Sequence, residues 1–438
     1  MKLSRYNHFF RRENKSFLYN ALSNSFALIE NDLYDMLNEA ANCGSDVKEL
    51  DEETYGILKK MMAVDMDDDT EIKKIKYYVM SSRFNPYLLS LTINPTLACN
   101  FSCSYCFEKQ HTPVFMDDKT ENGVVEYIRN FPLVKHLFVT WFGGEPLLAF
   151  NRIHTLTEKI LNLDIKYNSG MITNGYLLSE DKIRRLDALK ISSLQITLDG
   201  SPKTHNKRRC LHGGKPTFHK IIDNILLTKT LNPNIRIAIR VNIDRSNESE
   251  FLWLYNYIGK MNLPNVNVYP GFVTDISEQD CNGCLYKTSD MVNFLIRLYE
   301  EHGVIIPMFY PDSNISSCSV RNPASAVIGP SGELYKCWND VGDSSKVYGS
   351  VFGERINERL LFQYLTDADH LTDPTCDTCK FLPICSGGCP YIRLKEQDTG
   401  RKTNNPCVLF KSRPDDFLWI HYKYREKMRT SDKNSQGS

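Results

Sequence analysis

The hydrophobic pattern between residues 88 and 270 predicts strands and helices that alternate along the chain. Short apolar runs typical of buried strands are separated by amphipathic stretches whose apolar residues recur at i, i+3 and i+4. The predicted strands are Leu88–Ile93, Leu137–Phe142, Ser169–Thr173, Leu194–Leu198, Ile235–Ile243 and Val266–Tyr269. The clearest helix has an apolar stripe of Phe218, Ile221, Ile222, Ile225 and Leu226. Six strand–helix units predict an α/β fold, a partial (β/α)6 TIM-like barrel over residues 86–304.

Residues 1–85 show a different order of elements. Apolar runs at 8–10, 17–22 and 26–29 predict three short strands, and the helical spacing of Leu33, Met36 and Leu37 predicts a helix directly after them. This order predicts a small, separate α+β module in front of the barrel. The segment contains no residue that we assign to catalysis.

The chain after residue 304 is rich in loops and cysteines. Such a segment is typical of a region that folds around metal rather than around a large apolar core. We therefore predict a cysteine-rich domain over residues 305–410 and a C-terminal tail over residues 411–438, with its last residues disordered.

Composition and charge narrow the class of protein. The chain has 438 residues, of which 42% are hydrophobic, so two to three globular domains are expected. Lys+Arg and Asp+Glu are both 53, which gives no reason to expect nucleic acid or a membrane as a partner. The first residues lack the apolar h-region that a signal peptide would show, and no apolar run approaches the roughly 20 residues of a membrane span. We expect a cytoplasmic protein, in which 14 cysteines serve as metal ligands rather than as disulfides.

Three cysteines follow the first barrel strand at a distinctive spacing. Cys99, Cys103 and Cys106 lie within one loop, and no fourth cysteine follows there. Three thiolates can bind three irons of a cubane iron–sulfur cluster and leave the fourth iron open to another ligand. A structural zinc site normally uses four protein ligands. The spacing therefore indicates a cluster that binds a ligand and takes part in chemistry.

Further polar or glycine-rich motifs follow the next three predicted strands. The second strand leads into Gly143-Gly144-Glu145-Pro146, the third ends at Thr173-Asn174, and the fourth ends near Thr197 and Asp199. In barrels of this kind ligands bind at the carboxyl ends of the strands. We expect these motifs and the cysteine loop to form one site.

The order and spacing of these motifs resemble those of the radical S-adenosylmethionine superfamily. The resemblance implies that the open iron chelates the amino and carboxylate groups of S-adenosylmethionine. It also implies reductive cleavage to methionine and a 5′-deoxyadenosyl radical, which takes a hydrogen atom from the substrate. The cofactor-binding residues implied by position are Tyr105, Gly143, Gly144, Glu145, Thr173, Asn174, Thr197, Asp199 and Arg209. Glu145 is expected to accept from the cofactor amino group and Arg209 to bind a carboxylate; no catalytic base is assigned.

The seven cysteines near the C-terminus resemble the SPASM extension of that superfamily. Members bind two auxiliary [4Fe–4S] clusters there, although paired cysteines at this spacing also suit zinc. By position, the outer cluster would be bound by Cys376, Cys379, Cys385 and Cys407, and the inner cluster by Cys318, Cys337 and Cys389. The fourth ligand of the inner cluster stays open between Cys281, Cys284, Asp312 and none. Cys43 and Cys210 are expected to be unligated.

The resemblance implies an enzyme that matures a peptide or protein. The N-terminal module is similar to the winged-helix-like element with which many ribosomal-peptide maturases bind a leader peptide. Our leading hypothesis is a maturase that installs a thioether or carbon–carbon crosslink in a ribosomally made peptide, with a flavodoxin or ferredoxin as electron donor. The alternatives are formylglycine formation on a sulfatase, peptide epimerisation, and a non-catalytic electron carrier or peptide-binding scaffold. Trp338 stands where sulfatase-maturing relatives carry a catalytic aspartate, with Asp340 two residues later, which disfavours the first alternative.

Overall fold

A computed structural model describes most of the chain as two compact units. The described residues are 1–47, 50–65, 67–106, 112–273, 286–311, 318–385, 387–400 and 407–435, with side chains to residue 429. The first unit combines residues 1–84, 288–322 and 366–438, and the second combines residues 85–287 and 323–365. No helix in the described part of the chain is long and apolar enough to cross a membrane.

The N-terminal segment forms a three-stranded antiparallel sheet followed by helices. Its elements are β1 (Asn7–Arg12), β2 (Lys15–Asn20), β3 (Ser25–Ile29), α1 (Asn31–Cys43), α2 (Glu52–Lys60) and α3 (Asp68–Arg83). Strand β2 lies in the middle, so β1 and β3 are edge strands. Leu18 on one face of β2 belongs to the same apolar cluster as Leu37 of α1 and Leu58 of α2. The three predicted strands and the helix that follows them are present.

Six parallel strands form the centre of the second unit. Residues 85–287 contain β4 (Leu88–Ile93), β5 (Phe101–Cys103), α4 (Asp118–Arg129), β6 (His136–Trp141), α5 (Phe150–Leu161), β7 (Lys166–Thr173), α6 (Glu180–Arg185), β8 (Ile191–Thr197), α7 (Pro202–Arg208), β9 (Arg209–Leu211), α8 (Phe218–Leu231), β10 (Arg236–Ile243), α9 (Glu250–Gly259) and β11 (Val266–Phe272). Strands β4, β6, β7, β8, β10 and β11 are neighbours in chain order and pair in parallel. All six predicted barrel strands are present. On α8 the predicted stripe is buried except for Leu226, which is 38% exposed.

The remaining elements divide between the two units. They are α10 (Thr288–Glu300), β12 (Ser325–Ile328), β13 (Glu333–Tyr335), β14 (Gly349–Ser350), α11 (Glu358–Phe362), α12 (Pro374–Asp377), α13 (Leu382–Cys385), α14 (Pro390–Thr399) and α15 (Pro414–Ser435). Strand β12 pairs in parallel with β4, and β13 and β14 add two antiparallel strands, so the sheet has nine strands and is mixed. Residues 323–365 of the predicted cysteine-rich domain therefore extend the barrel sheet.

The C-terminal segment is a helix where the sequence analysis predicted only a tail. The side chains of Phe417, Leu418, Trp419 and Ile420 on α15 are buried. Phe17 of β2 packs edge-on against Trp419 and Tyr422, with ring centroids 6.0 and 5.0 Å apart. The face of the N-terminal sheet opposite the Leu18 cluster is thus covered by α15. Residues 1–84 are not a separate body, because this apolar face needs the C-terminal helix to be buried.

Candidate functional site

The cysteine loop between β4 and α4 is held in place by backbone hydrogen bonds. Its short strand β5 pairs antiparallel with β9, which sets Cys103 opposite Arg209. The Ser104 amide donates to the Arg208 carbonyl at 3.0 Å, and the His212 amide donates to the Asn100 carbonyl at 3.1 Å. Backbone pairing therefore supports residues 100–104 of the loop.

The three loop cysteines line one cavity of about 330 Å³ in the second unit. Burial raises the pKa of the Cys99 thiol to about 12, so a thiolate at this position needs a positive partner such as an iron ion. The cavity is also lined by the predicted residues Tyr105, Gly143, Gly144, Thr173, Asn174, Thr197 and Arg209. The structure thus brings most of the predicted cofactor contacts to one cavity.

The two glycines of the Gly-Gly-Glu-Pro motif lie against the backbone that leads to Cys99. A Cβ atom on Gly143, whose φ is +114°, would lie 2.3 Å from the Thr96 carbonyl oxygen, and one on Gly144 would lie 2.3 Å from that of Ala98. The Glu145 amide donates to the same Ala98 carbonyl at 2.8 Å. The absence of side chains therefore allows this segment to support the cysteine loop directly.

Glu145 joins the ends of two neighbouring strands. Its fully buried carboxylate accepts from Thr173 Oγ1 at 2.6 Å and from the Asn174 amide at 2.7 Å. Burial raises the pKa of this carboxyl group. Glu145 is not among the residues that line the cavity, although both of its partners are. A direct contact with the cofactor amino group stays a prediction.

Asp199 and Tyr105 belong to one polar network, and Tyr105 lines the same cavity. Tyr105 donates its hydroxyl to Asp199 Oδ2 at 2.6 Å and accepts from Arg209 Nη1 at 2.8 Å. Arg208 Nε also donates to Asp199 Oδ2, at 3.2 Å. Like Glu145, Asp199 is fully buried and does not line the cavity. Arg209 Nε is buried and has no hydrogen-bond partner in the described part of the chain, so it remains available to an anionic ligand.

Several cavity residues were missed in the sequence analysis. Asn242 near the end of β10 donates from Nδ2 to the Tyr105 hydroxyl at 3.1 Å and accepts from Arg240 Nε at 2.8 Å. Both residues line the cavity. Asn242 could have been identified in the same way as the residues of the earlier strands, because it is a polar residue at a strand end. Phe142 and Trp338, whose rings lie 5.7 Å apart, and Phe272 add an aromatic wall.

Asp340 does not reach this cavity. Its side chain is buried, and Oδ2 accepts from the Tyr364 hydroxyl at 2.6 Å. Burial raises the pKa of Asp340 to about 6. Trp338 and Asn339 line the cavity instead.

The four cysteines assigned to the outer cluster lie close together in the first unit. Arg393 donates from Nη2 to Cys376 Sγ at 3.1 Å, and Lys411 Nζ lies 3.9 Å from Cys407 Sγ. A hydrogen bond from Cys407 lowers the pKa of the Cys385 thiol to about 6. The charges of Cys379, Cys385 and Cys407 all act on Lys411. Four thiols flanked by two cations fit a cluster held by four thiolates.

The cysteines assigned to the inner cluster belong to both units. Cys318 and Cys389 lie in the first, where each interacts electrostatically with Arg321, and Cys337 lies in the second. The candidate fourth ligands Cys281, Cys284 and Asp312 lie outside the described residues. None of the twelve described cysteines forms a disulfide. Within the same residues no three Cys, His, Asp or Glu side chains converge on the position of one metal ion.

His370 is a buried residue of the first unit that the sequence analysis did not single out. Neither ring nitrogen has a hydrogen-bond partner among the described residues. Burial, and after it the charge of Arg321, lowers the pKa of His370 to about 4, so the ring is neutral near pH 7.

Comparison with known proteins finds relatives over most of the chain. Residues 93–258 match the model of the radical SAM superfamily. The chain is 24% identical over 360 residues to the cysteine-type anaerobic sulfatase-maturating enzyme of Clostridium novyi, covering 74% of this chain and 94% of that protein. It is 23% identical over 421 residues to the radical SAM cyclopropyl synthase TigE of Paramaledivibacter caminithermalis, covering 86% of this chain and 80% of TigE.

A solved structure is similar over nearly the whole chain. Streptococcus suis SuiB bound to the precursor peptide SuiA has a TM-score of 0.54 and 12% identity, and the match covers 93% of this chain and 99% of SuiB. At this identity the likeness concerns the fold. Together the comparisons confirm the predicted fold class, a partial barrel with a parallel sheet, and the predicted resemblance.

Proposed function

We propose, from the radical SAM domain that residues 93–258 form, that this protein is a maturase that crosslinks a ribosomally made peptide. Radical SAM enzymes use a [4Fe–4S] cluster and S-adenosylmethionine, and this cofactor pair supplies a 5′-deoxyadenosyl radical that abstracts hydrogen from the substrate. The crosslink is a thioether or a carbon–carbon bond. The observation that carries the proposal is the single cavity that combines three thiols with polar strand ends.

Different residues at this cavity would bind the cluster, bind the cofactor, position the strands and exclude water. Cys99, Cys103 and Cys106 would hold the cluster, and the unpartnered Nε of Arg209 suits the methionyl carboxylate. Glu145 holds the ends of β6 and β7 in register through Thr173 and the Asn174 amide. The aromatic wall of Phe142, Phe272 and Trp338 would exclude water from a substrate side chain that enters the cavity.

A peptide substrate is favoured by the N-terminal sheet. Strand β3 is an edge strand, and its residue Leu28 is 53% exposed. An exposed strand edge can bind an extended peptide through main-chain hydrogen bonds. TigE, which aligns with most of the chain, is named as a cyclopropyl synthase, and SuiB was solved with a precursor peptide. These likenesses support a leader-bearing peptide and bond formation between its residues.

Formylglycine formation on a sulfatase is the second candidate, and homology to the Clostridium novyi enzyme favours it. The geometry around Cys337 argues against it. Trp338 lines the cavity where that reaction would need a carboxylate base, and Asp340 is buried with its carboxylate bound to Tyr364. The proposal also includes a low-potential flavodoxin or ferredoxin as the electron donor and the auxiliary clusters as electron acceptors. It further includes a cytoplasmic location.

The decisive test is co-expression with short peptides encoded beside the gene, followed by mass spectrometry. A mass loss of two hydrogens with a fragmentation gap between two residues would identify a crosslink. Uptake of one deuterium without another mass change would instead indicate epimerisation, and an aldehyde would indicate formylglycine. In parallel, the reduced, reconstituted protein is incubated with S-adenosylmethionine. No 5′-deoxyadenosine above the level of the C99A/C103A/C106A variant would refute the enzyme assignment.

Peptide recognition is tested separately with a matched pair of charge substitutions. L28E places a carboxylate on the edge strand, whereas I57E places one on α2, where Ile57 is equally exposed at 51%. We expect L28E to lower peptide modification several-fold while uncoupled 5′-deoxyadenosine formation continues, and I57E to leave both unchanged. Deleting residues 1–85 is a poorer test, because it would expose the aromatic face of α15.

A further inference from the structure

His370 lies in the first unit between two segments that carry cluster cysteines. Its side chain is fully buried, and both ring nitrogens lack a hydrogen-bond partner among the described residues. A buried polar group without a partner is costly, and two on one ring are rare in native proteins. The described residues therefore leave both ring nitrogens open to a further partner.

The carboxylate next to the ring, that of Asp369, is bound to Arg83. Asp369 Oδ1 lies 3.5 Å from His370 Nδ1 without forming a hydrogen bond. Both oxygens of Asp369 accept from the guanidinium of Arg83, at 2.8 and 2.9 Å. The imidazole is thus not held by its acidic neighbour.

The ring packs directly on Gly387, which lies between Cys385 and Cys389 in the sequence. A Cβ atom on Gly387 would lie 2.3 Å from His370 Cβ and 2.8 Å from Nδ1. Glycine at this position therefore allows the loop to approach the imidazole, and Cys389 follows two residues later.

His370 is also a neighbour of Arg321, whose charge acts on the imidazole. The Arg321 amide donates to the Cys318 carbonyl at 2.9 Å, and its guanidinium donates to the Ala368 carbonyl from Nε at 3.2 Å and from Nη2 at 2.8 Å. The Cys318 and Cys389 thiols interact electrostatically with each other and with this same guanidinium. The two cysteines and the orphaned imidazole are therefore neighbours of one buried arginine.

We propose that His370 is a nitrogen ligand of the auxiliary iron–sulfur cluster assigned to Cys318 and Cys389. The inference rests on the proposed function for the presence of that cluster, and it supplies a ligand that the cysteine pattern leaves open. A neutral imidazole is the form that ligates iron. Replacing a thiolate by imidazole removes one negative charge from the cluster and raises its reduction potential, as in clusters of mixed Cys and His ligation.

The test uses the full chain in a C99A/C103A/C106A background, so that the electron paramagnetic resonance signals come from the auxiliary clusters alone. The protein is labelled with 15N-histidine, reconstituted, reduced and examined by pulsed resonance. We expect a strong nitrogen hyperfine coupling in one auxiliary signal. H370A and H370C should both lose it. H370C, which restores a thiolate, should keep the full iron content and shift that cluster to a more negative potential.

H421A is the matched control, because His421 is a partly buried histidine of the same unit whose ring stacks on Tyr310 at 4.0 Å. It should leave the coupling and the potential unchanged. Auxiliary clusters without a strongly coupled nitrogen, or a coupling that survives in H370C, would overturn the assignment of His370 alone. Absence of auxiliary iron would instead count against the proposed function as well. All of these results come from the resonance spectra, the iron content and the reduction potential, and none requires a measurement of peptide turnover.

Discussion

The cysteine loop of the barrel and the cysteines of the outer cluster are built in different ways. Cys99, Cys103 and Cys106 follow a strand of a nine-stranded sheet, and backbone pairing of β5 with β9 holds their loop. The outer cysteines Cys376 and Cys385 lie on two helices of four residues each. Helices of this length are not stable alone.

The difference extends to the groups that face the thiols. In the barrel, backbone carbonyls and glycines surround the loop, and the buried carboxylates of Glu145 and Asp199 bind strand ends rather than thiols. In the outer site, long cationic side chains reach the sulfur atoms of Cys376 and Cys407. We infer that the barrel forms its site before metal arrives, whereas the outer site depends on its cluster for order.

The largest expected effect follows from G144A. The added methyl group would meet the Ala98 carbonyl oxygen at 2.3 Å, so the backbone before Cys99 must move. A shift of the cysteine loop by about 1 Å is expected to lower the rate roughly 100-fold. The rate is measured as 5′-deoxyadenosine formed per minute. The control is G259A, since nothing lies within 4 Å of that position. Equal rates in the two variants would contradict the role of the glycine.

The second largest effect is expected from removal of iron, which should change hydrogen exchange in the outer cluster region but not in the barrel. We expect anaerobic chelation to increase hydrogen exchange across residues 374–399 strongly, because the short helices there lose the group that joins them. Amides of β4, β6, β7 and β8 should stay protected, since parallel backbone pairing between these neighbouring strands holds their sheet together. Comparable loss of protection in both regions would show that the barrel also needs its cluster to fold.

A smaller effect is expected from R393Q. Arg393 donates to Cys376 Sγ and, at 2.6 Å, to Asp373, so its loss removes a buried cation beside the outer cluster. We expect a fall in bound iron and a more negative potential for this cluster, with uncoupled 5′-deoxyadenosine formation retained. R184Q, which removes an exposed arginine paired with Glu180, is the control. An unchanged iron content and potential in R393Q would rule out this electrostatic role.

The smallest effect concerns pH and the helix that covers the N-terminal sheet. Burial lowers the pKa of His421 to about 4, from 6.5 in the unfolded chain. Between these values the unfolded chain binds a proton at His421 and the folded chain does not, so the free energy of unfolding falls as pH decreases. The protection factors of α15 amides, which compare their exchange rates with those of the unfolded chain at the same pH, should therefore fall as pH decreases from 7 to 5, and H421F should reduce that fall. Replacing the exposed His302 in the same way should have no effect.

The sequence predicted the elements with strong periodicity and missed those that depend on distant partners. The six barrel strands and the N-terminal strands were found because their apolar residues alternate or run together. The helix α15 was missed, since its buried aromatic residues have meaning only against Phe17 and its neighbours on β2. For the same reason Leu226 was assigned to a buried stripe although it is exposed.

At the candidate site the sequence identified residue types, and the tertiary structure assigned their positions. Spacing alone selected the three loop cysteines, because three thiols within eight residues must share a loop. Spacing could not reveal that Glu145 and Asp199 do not line the cavity, or that Arg240 and Asn242 do.

The sequence by itself determined which residues carry the chemistry, since cysteine spacing and strand-end motifs are local. Only the tertiary structure decided what surrounds them. It set Gly144 against Ala98, joined residues 323–365 to the barrel sheet and left His370 buried without a hydrogen-bond partner. Burial and orientation depend on contacts between residues far apart in the chain, and no local pattern records those contacts.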